Sequence, residues 1–343
     1  MSPGYDLVIV GGGPAGLATA LHATRAGFDA VVVEPRQAPV DKACGEGLMP
    51  GGAEALRELG IEVAGHPITG IRYVQGRREA HAAFRNGSGL GVRRTDLHAA
   101  LHRAVLDAGV AVVPEQVHGV QQDDAGVTAL GPRLRGRWLI AADGLHSPVR
   151  RSLGLGLSSG TTPRYGLRRH YALPPASSSV EVHCGPGGEA YVTPLGDELV
   201  GVALLTSERA PFETHLAGFP ELAARLADAE TVTGVRGAGP LRQRTRRRVH
   251  GRVLLVGDAA GYVDALTGEG IALALTGAEV LVDALRRGEP SDYEVAWRRT
   301  TRRYRLLTEC LVRARGQPAL AGRIVPAAER LPRVFAAVVN ALA

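Results

Sequence analysis

The chain has 343 residues, 45% of them hydrophobic, with a mean hydropathy of zero, a composition that fits a folded protein of two domains and excludes a disordered or fibrous one. Forty Lys and Arg against 34 Asp and Glu leave a formal charge of +6, carried almost wholly by Arg. That surplus suits a phosphate-bearing ligand and, without an aromatic-interleaved basic stripe, argues against nucleic acid. No apolar run reaches the ~20 residues of a membrane span. Cys44, Cys184 and Cys310 lie far apart, with no CxxC and no His/Cys cluster, so the expectation is a reduced, cytoplasmic protein without a metal site.

The run from Tyr5 to Val10 is an apolar strand of the kind buried on both faces, not the basic start of a signal peptide. Gly11 to Gly16 makes a turn, Leu17 to Ala26 has helical spacing, and Ala30 to Glu34 is a second strand, which together form a parallel βαβ unit. Helical spacing returns at Gly51 to Leu59 and Thr95 to Ala108, short strands follow between Ala111 and Leu130, and Arg137 to Ala142 is apolar again. From Pro163 to Leu205, β-rich segments alternate with Pro174-Pro175, Gly185-Pro-Gly-Gly188 and Gly196-Asp197, which predicts a mostly antiparallel sheet. Arg252 to Val256 reads as a strand returning to the first unit, Gly270 to Leu285 as a helix, and the Arg-rich stretch after Pro290 as helical.

The expected fold class is therefore α/β, with three parts. A Rossmann-like βαβ dinucleotide-binding domain takes residues 1–75, 92–160 and 245–290. An inserted, mostly antiparallel β-sheet substrate domain takes 76–91 and 161–244, and a C-terminal helical segment takes 291–343.

The turn reads Gly11-Gly-Gly13-Pro14-Ala15-Gly16, a G-x-G-x-x-G between strand and helix. Gly11 permits the sharp turn, Gly13 lets backbone approach a pyrophosphate, and Gly16 permits close packing of helix on strand. The helix N-terminus presents free N–H groups and about half a positive charge to the phosphates. Glu34 ends the second strand, where a carboxylate accepts hydrogen bonds from a ribose diol and repels a 2′-phosphate. The nucleotide expected is FAD or NAD, not NADP.

Two later segments each place an Asp at the end of an apolar strand: Leu139 to Arg150, with Asp143-Gly144, and Val253 to Gly261, with Gly257-Asp258. The second runs on into Gly268-Glu-Gly270-Ile271 at a helix start. With the glycine turn, these motifs resemble the flavoprotein monooxygenase and geranylgeranyl reductase superfamily, whose prototype is para-hydroxybenzoate hydroxylase, from Tyr5 to about Leu285. The resemblance implies non-covalent FAD, with Gly257 and Asp258 at its ribityl chain and the amides of Gly268, Gly270 and Ile271 facing the pyrimidine ring, where a helix N-terminus stabilises the charge of reduced flavin. It also implies Arg36 and Arg94 near the adenosine or pyrophosphate, Cys44 and Gly45 near the flavin, and Asp143 supporting FAD and a transiently visiting NAD(P)H. No second G-x-G-x-x-G holds a nicotinamide cofactor permanently.

Cys44 is a candidate proton donor or a small packing group, and Glu46 a second candidate acid or base. Tyr191, Thr193 and Pro194 fall in the segment where reductases and halogenases of the superfamily carry an aromatic-rich motif ending in Pro; here Trp and Phe are missing, and Ala265 stands where the family generally has Pro. His170 and His183 line the substrate pocket or are satisfied strand histidines. The run Arg242 to Arg248 guides NAD(P)H or an acidic carrier, or is a solvated face. The amphipathic end from Pro318 to Ala343 caps the active site, lies on a membrane surface to collect a lipid, or simply packs.

The first expectation is an FAD-dependent monooxygenase that hydroxylates or epoxidises an apolar aromatic, polyketide-like or prenylated small molecule through a flavin hydroperoxide, with NAD(P)H as reductant. Against it stand a geranylgeranyl reductase-like reductase of isoprenoid double bonds, favoured by Cys44-Gly45, and a non-catalytic flavin-binding partner or sensor.

Overall fold

A computed structural model describes residues 4–342 of the chain. The N-terminal sheet has eight strands, and its spine runs in the order 249–250, Val253–Leu255, Leu134–Ala141, Tyr5–Val10, Ala30–Val33, Ala111–Val113. The four pairings among its last five strands are parallel. Leu7, Val8 and Ile9 are fully buried, as are Val31 and Val32, which is why these segments carry continuous β-branched and aliphatic runs instead of an alternation. Helices Pro14–Arg25, Arg94–Asp107 and Gly270–Arg286 supply apolar residues to the same core, including Leu17, Leu97 and Leu281.

The second sheet also has eight strands and is antiparallel except for one pair. Tyr165–Ala172, Leu199–Thr206, Gly188–Gly196 and Ser179–Gly185 form an antiparallel meander. Ser179–Gly185 then runs parallel to Gly70–Gln75, which pairs with Arg78–Ala83. Gly70–Gln75 thus stands in the second sheet, although a boundary at residue 75 assigns it to the first domain. Its partner lies more than 100 residues away, and local patterning carries no sign of that pairing.

Beyond the long helix Asp292–Arg315, the chain returns to the second sheet. Helices Ile324–Arg330 and Pro332–Leu342 pack Ala328, Phe335 and Val339 on Ala80 and Ala82. Phe335 meets Tyr73 edge-on, with ring centres 5.0 Å apart. The Asn340 amide fixes the register, donating to the Ala83 carbonyl at 3.0 Å and accepting from the Arg85 N–H at 2.8 Å. Among the described residues, no helix is long and apolar enough to cross a membrane.

Candidate functional site

A cavity of about 850 Å3 lies between the two sheets, with the terminal helices along one side. At its first end, Gly11 (φ +108°) turns the chain, and a Cβ there would overlap the Ala142 carbonyl. Gly16 does not line the cavity; a Cβ on it would overlap the carbonyl oxygen of Gly11, so this glycine lets the helix sit on the turn. Gly13 is different. It is extended, with no atom within 4 Å of where its Cβ would stand, and with Pro14 and Ala15 it lines the cavity at the helix N-terminus. That open cradle, beside amide N–H groups, is the shape a pyrophosphate fills.

Glu34 lies beside this turn. Burial opposes its ionisation, but hydrogen bonds from the Arg36 guanidinium, at 2.7 Å to each oxygen, and from the Gly12 N–H, at 2.9 Å, outweigh burial and hold its carboxyl below the usual range. Arg36, Lys42 and Arg94 all border the cavity here. Arg94 is 5% exposed and its Nη1 has no partner among the described residues. Desolvation at the cavity wall, and then the charge of Arg36, push the Lys42 ammonium below its ordinary pKa, although the residue still reaches solvent. Three clustered cations, two of them without an ion-pair partner among the described residues, are a site for a multiply charged anion. Lys42 stands two residues before Cys44-Gly45, and nothing in its spacing marks it as a ligand.

At the far side of the same end, Asp143 accepts from the Val149 N–H at 3.0 Å through Oδ2, while its buried Oδ1 has no hydrogen-bond partner among the described residues. Asp258, next to Gly257 (φ +59°), lines the cavity; burial raises its carboxyl, and Lys42, Arg94 and Arg150 lower it. Gly268, Gly270 and Ile271 complete this wall at the start of the Gly270–Arg286 helix. The donor set fits FAD: Gly13, Pro14, Arg36, Lys42 and Arg94 would hold the adenosine and pyrophosphate part, and Asp258 with the Gly270–Arg286 N-terminus the ribityl and ring part.

Cys44 and Gly45 border the cavity between the two ends. The Cys44 Sγ accepts from the Glu46 N–H at 3.3 Å; burial and then the charge of Glu46 push its thiol up. Glu46 is an anchor rather than a free acid or base. Its residue sits at φ +59°, its Oε1 accepts from the Arg94 N–H at 2.7 Å, and its Oε2 lies 2.6 Å from His170 Nε2. The His170 Nδ1 contacts the Thr233 hydroxyl at 2.8 Å and Arg168 at 3.2 Å, an arrangement that puts the ring proton on Nε2, toward Glu46. Arg168, 1% exposed, pairs onward with Asp41. This buried chain ties the first turn of Arg94–Asp107 to the substrate sheet.

The remaining sequence candidates divide. Tyr191 and Thr193 line the cavity; their hydroxyls donate to the Leu266 carbonyl and the Gly45 carbonyl, each at 2.8 Å. Pro194 and His170 do not line it: the Pro194 carbonyl lies against Gly91, and His170 is bound to Glu46. Nor does His183: on its strand Val180 and Val182 face the cavity, whereas His183 pairs with Glu181 at 3.0 Å on the other side. The basic run is largely spent on structure. Arg242 pairs with Glu309, and Arg248 bonds Glu294 and stacks 3.8 Å from the Trp297 ring centre. The second end of the cavity is apolar, walled by Tyr73, Val182, Leu205, Ile324 and Phe335.

Residues 4–182 match the FAD binding domain family. The menaquinone reductase of Mycolicibacterium smegmatis is 32% identical over 342 aligned residues, covering 87% of this chain and 80% of the relative. The digeranylgeranylglycerophospholipid reductase 1 of Methanopyrus kandleri is 31% identical, with 84% and 83% covered. Among solved structures, a geranylgeranyl bacteriochlorophyll reductase-like protein from Thermoplasma acidophilum shares the fold at a TM-score of 0.80 and 22% identity, over 98% of this chain and 95% of that one. A flavin-dependent brominase does so at 0.81 and 18%, over 98% and 93%. With this fold, this cradle and these relatives, the chain belongs to the para-hydroxybenzoate hydroxylase and geranylgeranyl reductase superfamily of FAD-dependent oxidoreductases.

Proposed function

We propose that the protein is an FAD-dependent reductase of carbon–carbon double bonds in the isoprenoid chain of a lipid or quinone. The observation that carries this reading is the second end of the cavity, where aliphatic and aromatic side chains from the sheet and the terminal helices form an apolar channel leading away from the nucleotide cradle. A long hydrocarbon chain fits such a wall, and the names of the two relatives above denote reductases of molecules that carry one. FAD, when bound, supplies the two-electron chemistry; the chain supplies position, exclusion of water and protons. Cys44 is the acid we assign to the substrate side, because burial keeps its thiol protonated at the cavity wall. NAD(P)H, visiting the cavity without a pocket of its own, is the reductant in this reading.

Leu331 and Val334 line the cavity and are each 56% exposed, so the channel opens through the terminal helices. Arg323, Arg330 and Arg333, all exposed, flank that mouth. Apolar residues ringed by Arg suit loading from an anionic bilayer surface.

Monooxygenation of an apolar molecule uses the same cavity and is the competing reading. The test is to incubate FAD-loaded protein, reduced with dithionite, with a polyprenyl quinone in detergent, with and without air. The expected product, once air has returned the quinol made by dithionite itself to the quinone, carries two more hydrogen atoms in its isoprenoid chain and forms without oxygen. A product that gains one oxygen atom, only in air, would overturn the reductase in favour of the monooxygenase. Reduced holoprotein that changes neither a quinone nor a geranylgeranyl lipid would leave a flavin-binding protein without catalysis.

A further inference from the structure

Glu269 carries the only side chain in Gly268-Glu269-Gly270, the turn that leads into the Gly270–Arg286 helix at the cavity wall. It is 9% exposed, and its Oε1 has no hydrogen-bond partner among the described residues. Every other buried Glu in the chain is compensated: Glu34 by Arg36 and Gly12, Glu46 by Arg94 and His170, Glu181 by Arg225, Glu189 by Arg164. No Arg, Lys or His among the described residues comes within ion-pair distance of Glu269. Around its helix, the Asp292–Arg315 helix contributes Tyr304, which feels the Glu269 charge, and Arg305, which lies beyond ion-pair distance; the preceding segment contributes Asp258 and Tyr262, and the cavity wall Cys44. Helices Pro14–Arg25 and Pro50–Glu58, packed on the same helix, send it no hydrogen bond. The cavity cations Lys42 and Arg94 act on Asp258 instead. Glu269 is therefore a buried carboxyl without a charged partner among the described residues, on the wall that Asp258 and the helix N-terminus would give to the ring end of FAD.

We propose that Glu269 couples the two-electron reduction of bound FAD to the uptake of a proton at its own carboxyl. Reduction leaves negative charge on the ring, and an ionised carboxylate on the same wall opposes it. Burial alone lifts the Glu269 carboxyl to about 8, so near neutral pH it already holds its proton. Above that pH, oxidised holoprotein would have an ionised Glu269; reduction by a nicotinamide or by dithionite would bring two electrons and one proton to the ring, and the carboxyl would draw one further proton from solvent. The inference rests on FAD occupying the cavity and not on the identity of the substrate.

The test is a potentiometric titration of FAD-loaded protein and its Glu269→Gln variant over about pH 6 to 10, without substrate. Above about pH 8 the native potential is expected to fall more steeply by roughly 30 mV per pH unit, the two-electron value of a tenfold change per proton. Glu269→Gln, which cannot ionise, lacks that extra slope, so its potential lies above the native one at high pH. Identical pH profiles overturn the proposal. Should the variant fail to fold or to retain FAD, infrared spectra of native holoprotein decide. A protonated-carboxyl band lost near pH 8 when oxidised, and kept to higher pH when reduced, supports the coupling. Carboxyls ionised alike in both states at about pH 6 overturn it.

Discussion

The two ends of the cavity are made of different materials. The nucleotide end is built from backbone: a glycine turn, two helix N-termini and a strand end, with Arg36, Lys42 and Arg94 set around them. The apolar end is built from side chains of Tyr73, Val182, Leu205 and Phe335, drawn from three strands and the last helix. A backbone cradle tolerates little change, because any Cβ enters either the protein or the ligand. A wall of side chains can be reshaped residue by residue within a packing penalty. One scaffold can thus keep its cofactor while its substrate varies.

The largest effect expected from this contrast separates two glycines of one motif. Gly16→Val puts side-chain atoms into the Gly11 carbonyl and should destabilise the ligand-free protein by about 3 kcal/mol or more. Gly13→Val meets open space, so the ligand-free protein should stay within about 0.5 kcal/mol of native, while FAD affinity falls on the order of 100-fold. Urea unfolding and FAD titration read the two quantities. Equal destabilisation by both variants would break the distinction between a packing glycine and a ligand glycine.

A smaller effect tests the joint between the ends. Glu46→Ala leaves His170 and the Arg94 N–H without their buried acceptor and removes the carboxylate 3.9 Å from Arg168, and should cost about 3 kcal/mol. Glu46→Gln keeps an acceptor for the Arg94 N–H and should cost about half as much. If Gln instead abolished turnover at native stability, Glu46 would be an acid or base after all, and the anchor reading would fail.

The same contrast governs what the sequence disclosed. Gly11, Gly13, Gly16 and Glu34 were legible because a backbone cradle is contiguous and its residue types are dictated by sterics. Glu46 was singled out for chemistry, yet its tie to His170, 124 residues away, appears only once the second sheet meets the first. His183 and Val182 are neighbours on one strand, and which of them faces the cavity depends on sheet pairing, not on residue type. Gly70–Gln75 escaped assignment for the same reason. The terminal helix was visible in its periodicity, but not the fact that Phe335 packs against Tyr73. Lys42 and Glu269 left no mark, because an unpartnered ionisable group is defined by what does not surround it.

The back of the substrate sheet gives the mildest test. Glu181 and His183 lie on the face opposite Val180 and Val182, so an apolar wall stands on an ionised layer. Burial raises the Glu181 carboxyl, but the hydrogen bond with His183 and the charges of Arg225 and Arg72 prevail and bring it down to about 2. A carboxyl depressed on folding contributes stability that is fully present above its ordinary value near 4.5 and is lost as pH falls from there toward about 2. Glu181→Gln should therefore lower stability by about 1–2 kcal/mol at neutral pH and flatten the acid limb of the stability curve below about pH 4.5, with FAD affinity at neutral pH unchanged. Thermal melts across that range read the limb. If the variant also released FAD at neutral pH, the two faces of the sheet would not be independent, and the apolar wall would owe its shape to the charges behind it.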